Sequence, residues 1–286
     1  MTPKQTVYYH GRCAARGIYK EELIVYRNFK KISRTLIASI VMLLMVSSCT
    51  NMEDAQIPKT SKEKGQIIKV AVITGGHDFE QEEFLELFAG YEDIKYTHVP
   101  QRDHSEIFED IGEWPYDVMV LYNMTQEISP KRQENFVKLL EAGVGVVALH
   151  HSIGAFQNWP EYKKIIGARF YLQDTVEKSV IHKTSEYRHD VSFTINIADK
   201  SHPIMRGLGD FVIGDETYKN CVFETDNYVL LTTDEDSSDA SICWVRNYAR
   251  AKVCYIQSGH GPSSYSNDNY RRLVARAIRW SAGKLN

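Results

Sequence analysis

Histidines stand at the ends of three apolar segments of this sequence, each of which is typical of a buried strand. His77 follows two glycines, His150 and His151 follow a purely apolar segment, and His260 lies between two glycines. An imidazole in such a position has its ring free to face a cleft, where it can serve as acid, base or ligand near neutral pH. A single strand-end histidine is usually structural, but three strands that end in this way indicate a shared site.

Two adjacent carboxylates, Asp215 and Glu216, lie in the sequence IGDETYKN, close to Tyr218. On an extended segment neighbouring side chains point in different directions, so one can face a cleft while the other anchors a loop. A carboxylate that joins neutral histidines forms either a general acid/base pair or a ligand set for a divalent metal such as zinc. Both alternatives stay open, because the sequence has neither HExxH nor a facial-triad motif.

Two other motifs fall short of a known chemistry. Ser152 follows a strand, but the G-x-S-x-G pattern of a nucleophilic serine is absent. The segment GGHD lacks the G-x-G-x-x-G spacing of a dinucleotide site, although its glycines could present N–H groups to an anion. We predict a substrate site formed by residues at the strand ends and in the segment that carries the two carboxylates. These residues are Gly76, Asp78, Asn123, Asp215 and Tyr218.

The elements that must position these residues alternate in type along the first half of the domain. Apolar strand patterns occupy 67–76, 94–100, 116–124 and 144–152. Between the last two, Ser129 and Pro130 predict a helix start and Gly143 predicts its end. Such alternation predicts right-handed βαβ units and an α/β fold with a mainly parallel sheet. Ligands of such sheets bind beyond the carboxyl ends of the strands, where the histidines stand.

The second half of the domain is less regular. It has a predicted helix at 159–167, strands at 191–199, 229–234, 241–247 and 252–261, and a final helix at 269–281. The last two strands are expected to pair as a hairpin.

Residues 29–49 read FKKISRTLIASIVMLLMVSSC, in which a basic segment, an apolar stretch and small residues precede a cysteine. This pattern is typical of a signal peptide, and VSSC resembles a bacterial lipobox in which Cys49 carries the lipid. We predict a leader over residues 1–49, a polar flexible tether over 50–66 and one folded domain over 67–286. An uncleaved signal anchor is the alternative. The lipidated protein would be held to the membrane of the bacterial cell envelope, facing the periplasm or the cell surface.

Composition excludes some other classes of protein. The formal net charge is −3, and without a basic excess no nucleic-acid partner is expected. The five cysteines form no CxxC pair, which argues against a zinc ribbon or a thioredoxin-type site.

Taken together, these motifs resemble the ThuA-like (trehalose utilisation) family over about residues 67–284. The segments that carry the resemblance are VAVITGGHDF, GVGVVALHHSIGAFQNWPEYKKIIGARF, SHPIMRGLGDFVIGDETYKN and KVCYIQSGHG. One departure is NYARAK, where the family has a glycine-rich turn with a Lys or Arg before the last strand. The resemblance implies a flavodoxin-like, class I glutamine amidotransferase-like fold with helices on both faces of the sheet.

The resemblance also assigns individual positions. The family's strand-end histidine corresponds to His150 with His151 as its companion, the carboxylate pair to Asp215 and Glu216, and the late histidine to His260. Glutamine amidotransferases carry their nucleophilic cysteine after the strand that matches VVALHH. This chain has histidine there, so thiol amidotransfer is excluded on chemical grounds.

The resemblance implies a role in carbohydrate metabolism, including pathways in which a sugar hydroxyl is oxidised to a ketone. We expect an enzyme that acts on a glycoside or keto-sugar by His/Glu acid-base chemistry. His150, His151 or Glu216 would remove a proton beside the carbonyl, and His77 or His260 would polarise the oxygen. As cleft residues, these side chains are expected to contribute little packing. The alternative is a non-catalytic sugar-binding lipoprotein of the cell surface.

The lipobox pattern predicts that Cys49 is lipidated. When bacteria that express the protein are labelled with a lipid probe, the wild type should be tagged and the Cys49→Ser variant should not, because serine lacks the thiol that accepts the lipid. Equal labelling of the two proteins would contradict the assignment.

Overall fold

The central sheet of the domain joins segments from both halves of the chain. The structure, a computed structural model, describes residues 66–102 and 105–285. Cys49, the predicted leader and nearly all of the predicted tether lie outside the described residues. Among the helices that are described, none has the length and apolar character needed to cross a membrane.

Thirteen strands and five α-helices occur in the described part of the chain. The strands are β1 (Ile68–Gly75), β2 (Ile94–Pro100), β3 (Val118–Asn123), β4 (Gly145–Leu149), β5 (Ala168–Arg169), β6 (Thr175–Glu177), β7 (Val180–His182), β8 (Glu186–Ile197), β9 (Phe211–Lys219), β10 (Val222–Phe223), β11 (Tyr228–Thr232), β12 (Ser241–Tyr248) and β13 (Ala251–Ile256). The helices are α1 (Gln81–Leu85), α2 (Pro130–Ala142), α3 (Pro160–Ile166), α4 (Pro262–Tyr265) and α5 (Asp268–Ser281). Short 3-10 turns occupy Glu86–Phe88, Glu106–Phe108, His150–Gly154 and Pro203–Met205.

Nine of these strands form one sheet in the order β2-β1-β3-β4-β13-β12-β11-β8-β9. The pairings from β2 to β13 are parallel, and those from β13 to β9 are antiparallel. Because β1 lies between β2 and β3, the chain reverses its direction of travel across the sheet there, which is where ligands of such folds bind. The predicted α/β fold with a mainly parallel sheet is confirmed for this half, as is the hairpin of β12 and β13.

Both faces of the parallel strands are buried, which is why their sequences are continuously apolar. Along β1, Val70 and Val72 belong to one hydrophobic core, and Ala71 and Ile73 belong to the other. The first core is covered by α1 and α5, and the second by α2 and α3. The prediction of helices on both faces is therefore confirmed.

Local sequence signals fix the ends of α2. The Ser129 hydroxyl accepts a hydrogen bond from the Arg132 N–H at 3.4 Å, and Pro130 occupies the first turn. Gly143 ends the helix with a φ of 96°, a left-handed conformation that favours glycine. The structure confirms the predicted start and end.

The strands that carry the carboxylates differ from the sequence prediction. β8 begins at Glu186, upstream of the predicted start at residue 191, and β9 was not predicted as a strand. In β9, a glycine and two adjacent carboxylates interrupt the alternation of apolar and polar residues that is typical of a strand. The two carboxylate side chains are buried although they are not apolar. Asp215, Glu216 and Thr217 are each at most 6% exposed. Tertiary contacts, and not hydrophobic alternation, keep this segment extended.

Gly145 at the start of β4 offers a test of the packing between the sheet and α5. A Cβ atom at this position would lie 2.7 Å from the Ser281 carbonyl carbon and would overlap its oxygen. We expect Gly145→Ala to lower the free energy of unfolding by about 1–3 kcal/mol, because a rigid backbone must move. Chemical denaturation measures the change. As the matched control, Gly209→Ala meets no atom within 4 Å and should change stability by less than about 0.5 kcal/mol. Equal losses would contradict the packing argument.

Candidate functional site

The backbone at the end of β4 takes an unusual conformation that aims His150 at the centre of the site. His150 has a φ of 49°, in the left-handed region, as the strand turns into the 3-10 segment. A non-glycine residue there costs of order 1–3 kcal/mol and persists only where its surroundings hold it. The Tyr255 hydroxyl donates a hydrogen bond to the His150 carbonyl at 3.0 Å and so helps to stabilise this conformation.

The imidazole of His150 is 1% exposed and fixed at both nitrogens. Its Nδ1 lies 2.7 Å from the Gln257 carbonyl oxygen, which can only accept, so Nδ1 carries the proton and Nε2 a lone pair. The Tyr218 hydroxyl donates to Nε2 at 2.9 Å. Burial holds the pKa of His150 well below its ordinary value, with His151 lowering it further. The expectation that His150 contributes little packing is therefore wrong, because truncation would open a hole in a buried layer.

Glu216 lies beside three imidazoles. Its carboxylate is 2.6 Å from Nδ1 of His189, 3.3 Å from Nδ1 of His260 and 3.8 Å from Nε2 of His150. Burial raises the pKa of Glu216 above its ordinary value, although His260 and His189 act in the opposite direction. Ligand atoms of Glu216, His150 and His260 all lie within 4.8 Å of one another, close enough to hold one metal ion.

Asp215 performs a different task from its neighbour. One carboxylate oxygen accepts the N–H groups of Glu216 at 2.8 Å and His260 at 2.9 Å, and the other accepts that of Gly259 at 2.7 Å. The side chain therefore ties β9 to the loop after β13 and has little capacity left for a ligand. The sequence assigned Asp215 to substrate binding, and the structure corrects this. Adjacent residues of a strand point to opposite sides, and here only Glu216 faces the cavity.

His77 and His151 form a stacked pair across the ends of β1 and β4. Their ring centroids are 4.5 Å apart, with 18° between the planes. His151 is 4% exposed, yet neither of its ring nitrogens makes a hydrogen bond of normal geometry with the described residues. Burial, assisted by His77, lowers the pKa of His151 to about 3. Buried polar atoms normally have partners, so these two nitrogens point to a missing one.

A cavity of about 250 Å³ opens over these side chains. Most of its wall is apolar. It is lined by His77, Met124, His151, Ile153, Gly154, Phe170, Leu172, Tyr187, His189, Glu216 and Tyr218. His150 and His260 are not lining residues, and they reach the cavity through Tyr218 and Glu216.

Besides Asp215, three of the predicted substrate-binding residues do not line this cavity. Gly76 has a φ of 72°, and a Cβ there would lie 2.6 Å from the Thr125 nitrogen, so glycine is needed for the turn. The Asp78 carbonyl oxygen lies 2.6 Å from Nδ1 of His77 and orients the His77 ring, whereas the Asp78 side chain is exposed. Asn123 is 2% exposed at the end of β3. Their residue types indicated a site at the strand ends, but in the structure Gly76 permits the turn and Asp78 orients His77.

His189 belongs to the site and was missed by the sequence analysis. It lies in a β-bulge, because Arg188 pairs with Thr217 and Val191 pairs with Asp215, which leaves two residues of β8 opposite Glu216. The bulge turns the His189 ring onto the carboxylate. No glycine or strand end marks this position. The only available signal was a tyrosine and a histidine two residues apart on one face of a strand.

The fold and the site together define an α/β protein of the glutamine amidotransferase-like class with His150 at the end of β4. The profile of the family described as trehalose utilisation, ThuA, matches residues 69–281. The chain therefore belongs to the ThuA family.

Solved structures show the same fold at low sequence identity. A protein of Parabacteroides merdae described as ThuA-like aligns with a TM-score of 0.65 at 20% identity, over 77% of this chain and 92% of that one. A second such protein, from Bacteroides uniformis, gives 0.57 at 20% identity over 78% and 94%. A protein of Salmonella typhimurium described as cytoplasmic gives 0.51 at 14% identity over 75% and 99%. No curated protein matches the sequence.

The tie made by Asp215 generates a prediction about stability. Asp215→Ala should lower the free energy of unfolding by at least about 2 kcal/mol, because it leaves three buried N–H donors without an acceptor. Thermal or chemical denaturation measures this. Asp210→Ala is the matched control, since Asp210 is exposed and accepts one N–H, that of Ile197, at 2.9 Å. It should cost less than about 1 kcal/mol. Similar costs for both variants would show that Asp215 is not a tie.

Proposed function

We propose that this protein is an enzyme of carbohydrate metabolism that acts on a glycoside or keto-sugar by proton transfer. The observation that carries the proposal is one cavity wall that presents two buried polar groups to the same space. These are the carboxylate of Glu216 and the imidazole of His151, whose ring nitrogens make no hydrogen bond of normal geometry with the described residues. Membership of the ThuA family supports a carbohydrate substrate.

The proposed reaction begins at a carbon beside the sugar's carbonyl group. Glu216 takes a proton from this carbon, and His189, 2.6 Å from its Oε2, holds the carboxylate in place. The electron pair moves onto the carbonyl oxygen, which accepts a hydrogen bond from an N–H of His151 or His77. If the proton returns to the former carbonyl carbon while the neighbouring hydroxyl passes its proton to the carbonyl oxygen, an isomer forms. If the C–O bond to the glycosidic group breaks instead, the leaving oxygen takes the proton from Glu216 and the reaction is an elimination.

The cavity suits a ligand with both polar and apolar surfaces. Phe170, Leu172 and Tyr187 contribute apolar surface to the cavity, and 61% of Tyr187 is exposed. A sugar ring has C–H faces that pack on aromatic rings and hydroxyl edges that need partners. This apolar surface is also the feature that favours the second candidate function, a sugar-binding protein without turnover.

We also propose that the domain works at the cell envelope, tethered through a lipid on Cys49. The support is the signal-peptide pattern and the polar segment after it. A tether of this kind would leave the cavity free to meet sugars outside the cytoplasm.

Glu216→Gln should lower turnover by about 10²–10⁴-fold, because the amide cannot accept the proton. Glucosides and disaccharides, each with and without a ketone on the ring, are incubated with the protein in heavy water. Nuclear magnetic resonance then follows both product formation and deuterium uptake beside the carbonyl. Glu186→Gln, which changes an exposed carboxylate elsewhere on β8, is the control and should retain full activity.

The outcomes separate the two candidate functions. Binding of a glycoside without exchange or product, weakened in His151→Phe, would support the sugar-binding alternative. If His151→Phe and Glu216→Gln change neither binding nor turnover of any tested glycoside, the cavity is not the functional site.

A further inference from the structure

We infer that His150, His260 and Glu216 bind one divalent cation of the zinc type. This goes beyond the proposed reaction, because it concerns what the cluster holds and can be tested without a substrate. The three side chains come from the 3-10 turn after β4, from β9 and from the loop after β13, so only the folded domain assembles them.

The separations among the ligand atoms match those required around a small cation. Nε2 of His150 lies 3.3 Å from Nδ1 of His260. In Glu216, Oε2 lies 3.3 Å from Nδ1 of His260 and Oε1 lies 3.8 Å from Nε2 of His150. Ligands bound tetrahedrally at zinc distances are about 3.3 Å apart. Two histidines and one glutamate, with a fourth position left for water or substrate, form a set that zinc uses in catalytic sites.

The hydrogen bonds around the cluster prepare it for a cation. The Gln257 carbonyl fixes the proton of His150 on Nδ1, which leaves the lone pair of Nε2 toward Glu216 and His260. Metal-binding histidines commonly donate their other N–H to such a carbonyl. His189 lies 2.6 Å from Oε2 of Glu216, the oxygen that is also 3.3 Å from His260. Carboxylates that bind a metal are commonly hydrogen-bonded by such neighbours. Asp215 fixes the backbone of His260 through the N–H at 2.9 Å.

A cation can reach this point from solvent, because the His260 side chain is 35% exposed, while His150 closes the inner side at 1%. The Tyr218 hydroxyl, 2.9 Å from Nε2 of His150, would lie beside the fourth position and can turn its proton elsewhere. When bound, the cation would lower the pKa of a coordinated water toward neutrality.

Zinc titration of the purified, chelator-treated full-length protein against a chromophoric chelator tests the inference. We expect one equivalent per chain for the wild type. Glu216→Gln and the part-exposed His260→Ala should each weaken binding at least about 100-fold, and His189→Ala should weaken it about 10–100-fold. His182→Ala is the matched control, because His182 stacks on Tyr171 outside the cluster, and it should bind like the wild type. Circular dichroism confirms that each variant is folded.

Two results would overturn the inference: a wild type that takes up no stoichiometric zinc, or binding that survives both Glu216→Gln and His260→Ala. In either case the cluster is a hydrogen-bond network only. Failure here is distinguishable from failure of the proposed function. If chelator-treated protein still turns over a glycoside at full rate, the proposed enzyme activity stands and does not need the cation. If zinc binds but no glycoside is turned over, the cation site stands and the proposed enzyme activity fails.

Discussion

The acceptance of three backbone N–H groups by the buried Asp215 carboxylate is the interaction on which the site depends. It joins β9, at the far end of the sheet order, to the loop that follows β13 near its middle. Only the last residues of β8 pair with β11, so the first half of the β8–β9 ribbon is free to approach the strand ends. Without the tie, Glu216 would have no fixed relation to His150 or His260.

Burial of polar groups shapes the chemistry of this region and carries an energetic cost. Desolvation raises the pKa of Glu216 and lowers those of His150 and His151, so each group is pushed toward its neutral form. A protein selected for stability alone would fill this volume with apolar side chains. Retention of a left-handed histidine, a buried carboxylate and a buried imidazole is the pattern expected of a functional site.

The cavity and the cluster form one continuous arrangement with different surroundings at its two ends. Near the apolar wall, His77 and His151 face open space, and they suit the oxygen atoms of a sugar. At the other end, the Glu216 carboxylate, which lines the cavity, also lies beside His150 and His260, where nitrogen and oxygen ligands converge. Glu216 belongs to both parts, which is why a cation at the cluster would act directly on a ligand in the cavity.

The sequence by itself determined the parallel half of the sheet, the two ends of α2 and the strand-end position of His77, His150 and His151. These follow from hydrophobic periodicity and helix caps, which are local properties of the chain. It also separated Asp215 from Glu216 as anchor and cleft residue in principle, without saying which was which.

Only the tertiary structure decided the rest. Whether Asp215 or Glu216 faces the cavity depends on the register of β9 against β8, and His189 enters the site through a bulge that no periodicity marks. Gly76, Asp78 and Asn123 lie at strand ends as predicted, but they do not line the cavity. These outcomes depend on contacts between residues far apart in the chain, whose free energies are set by packing and burial and leave no local pattern in the sequence.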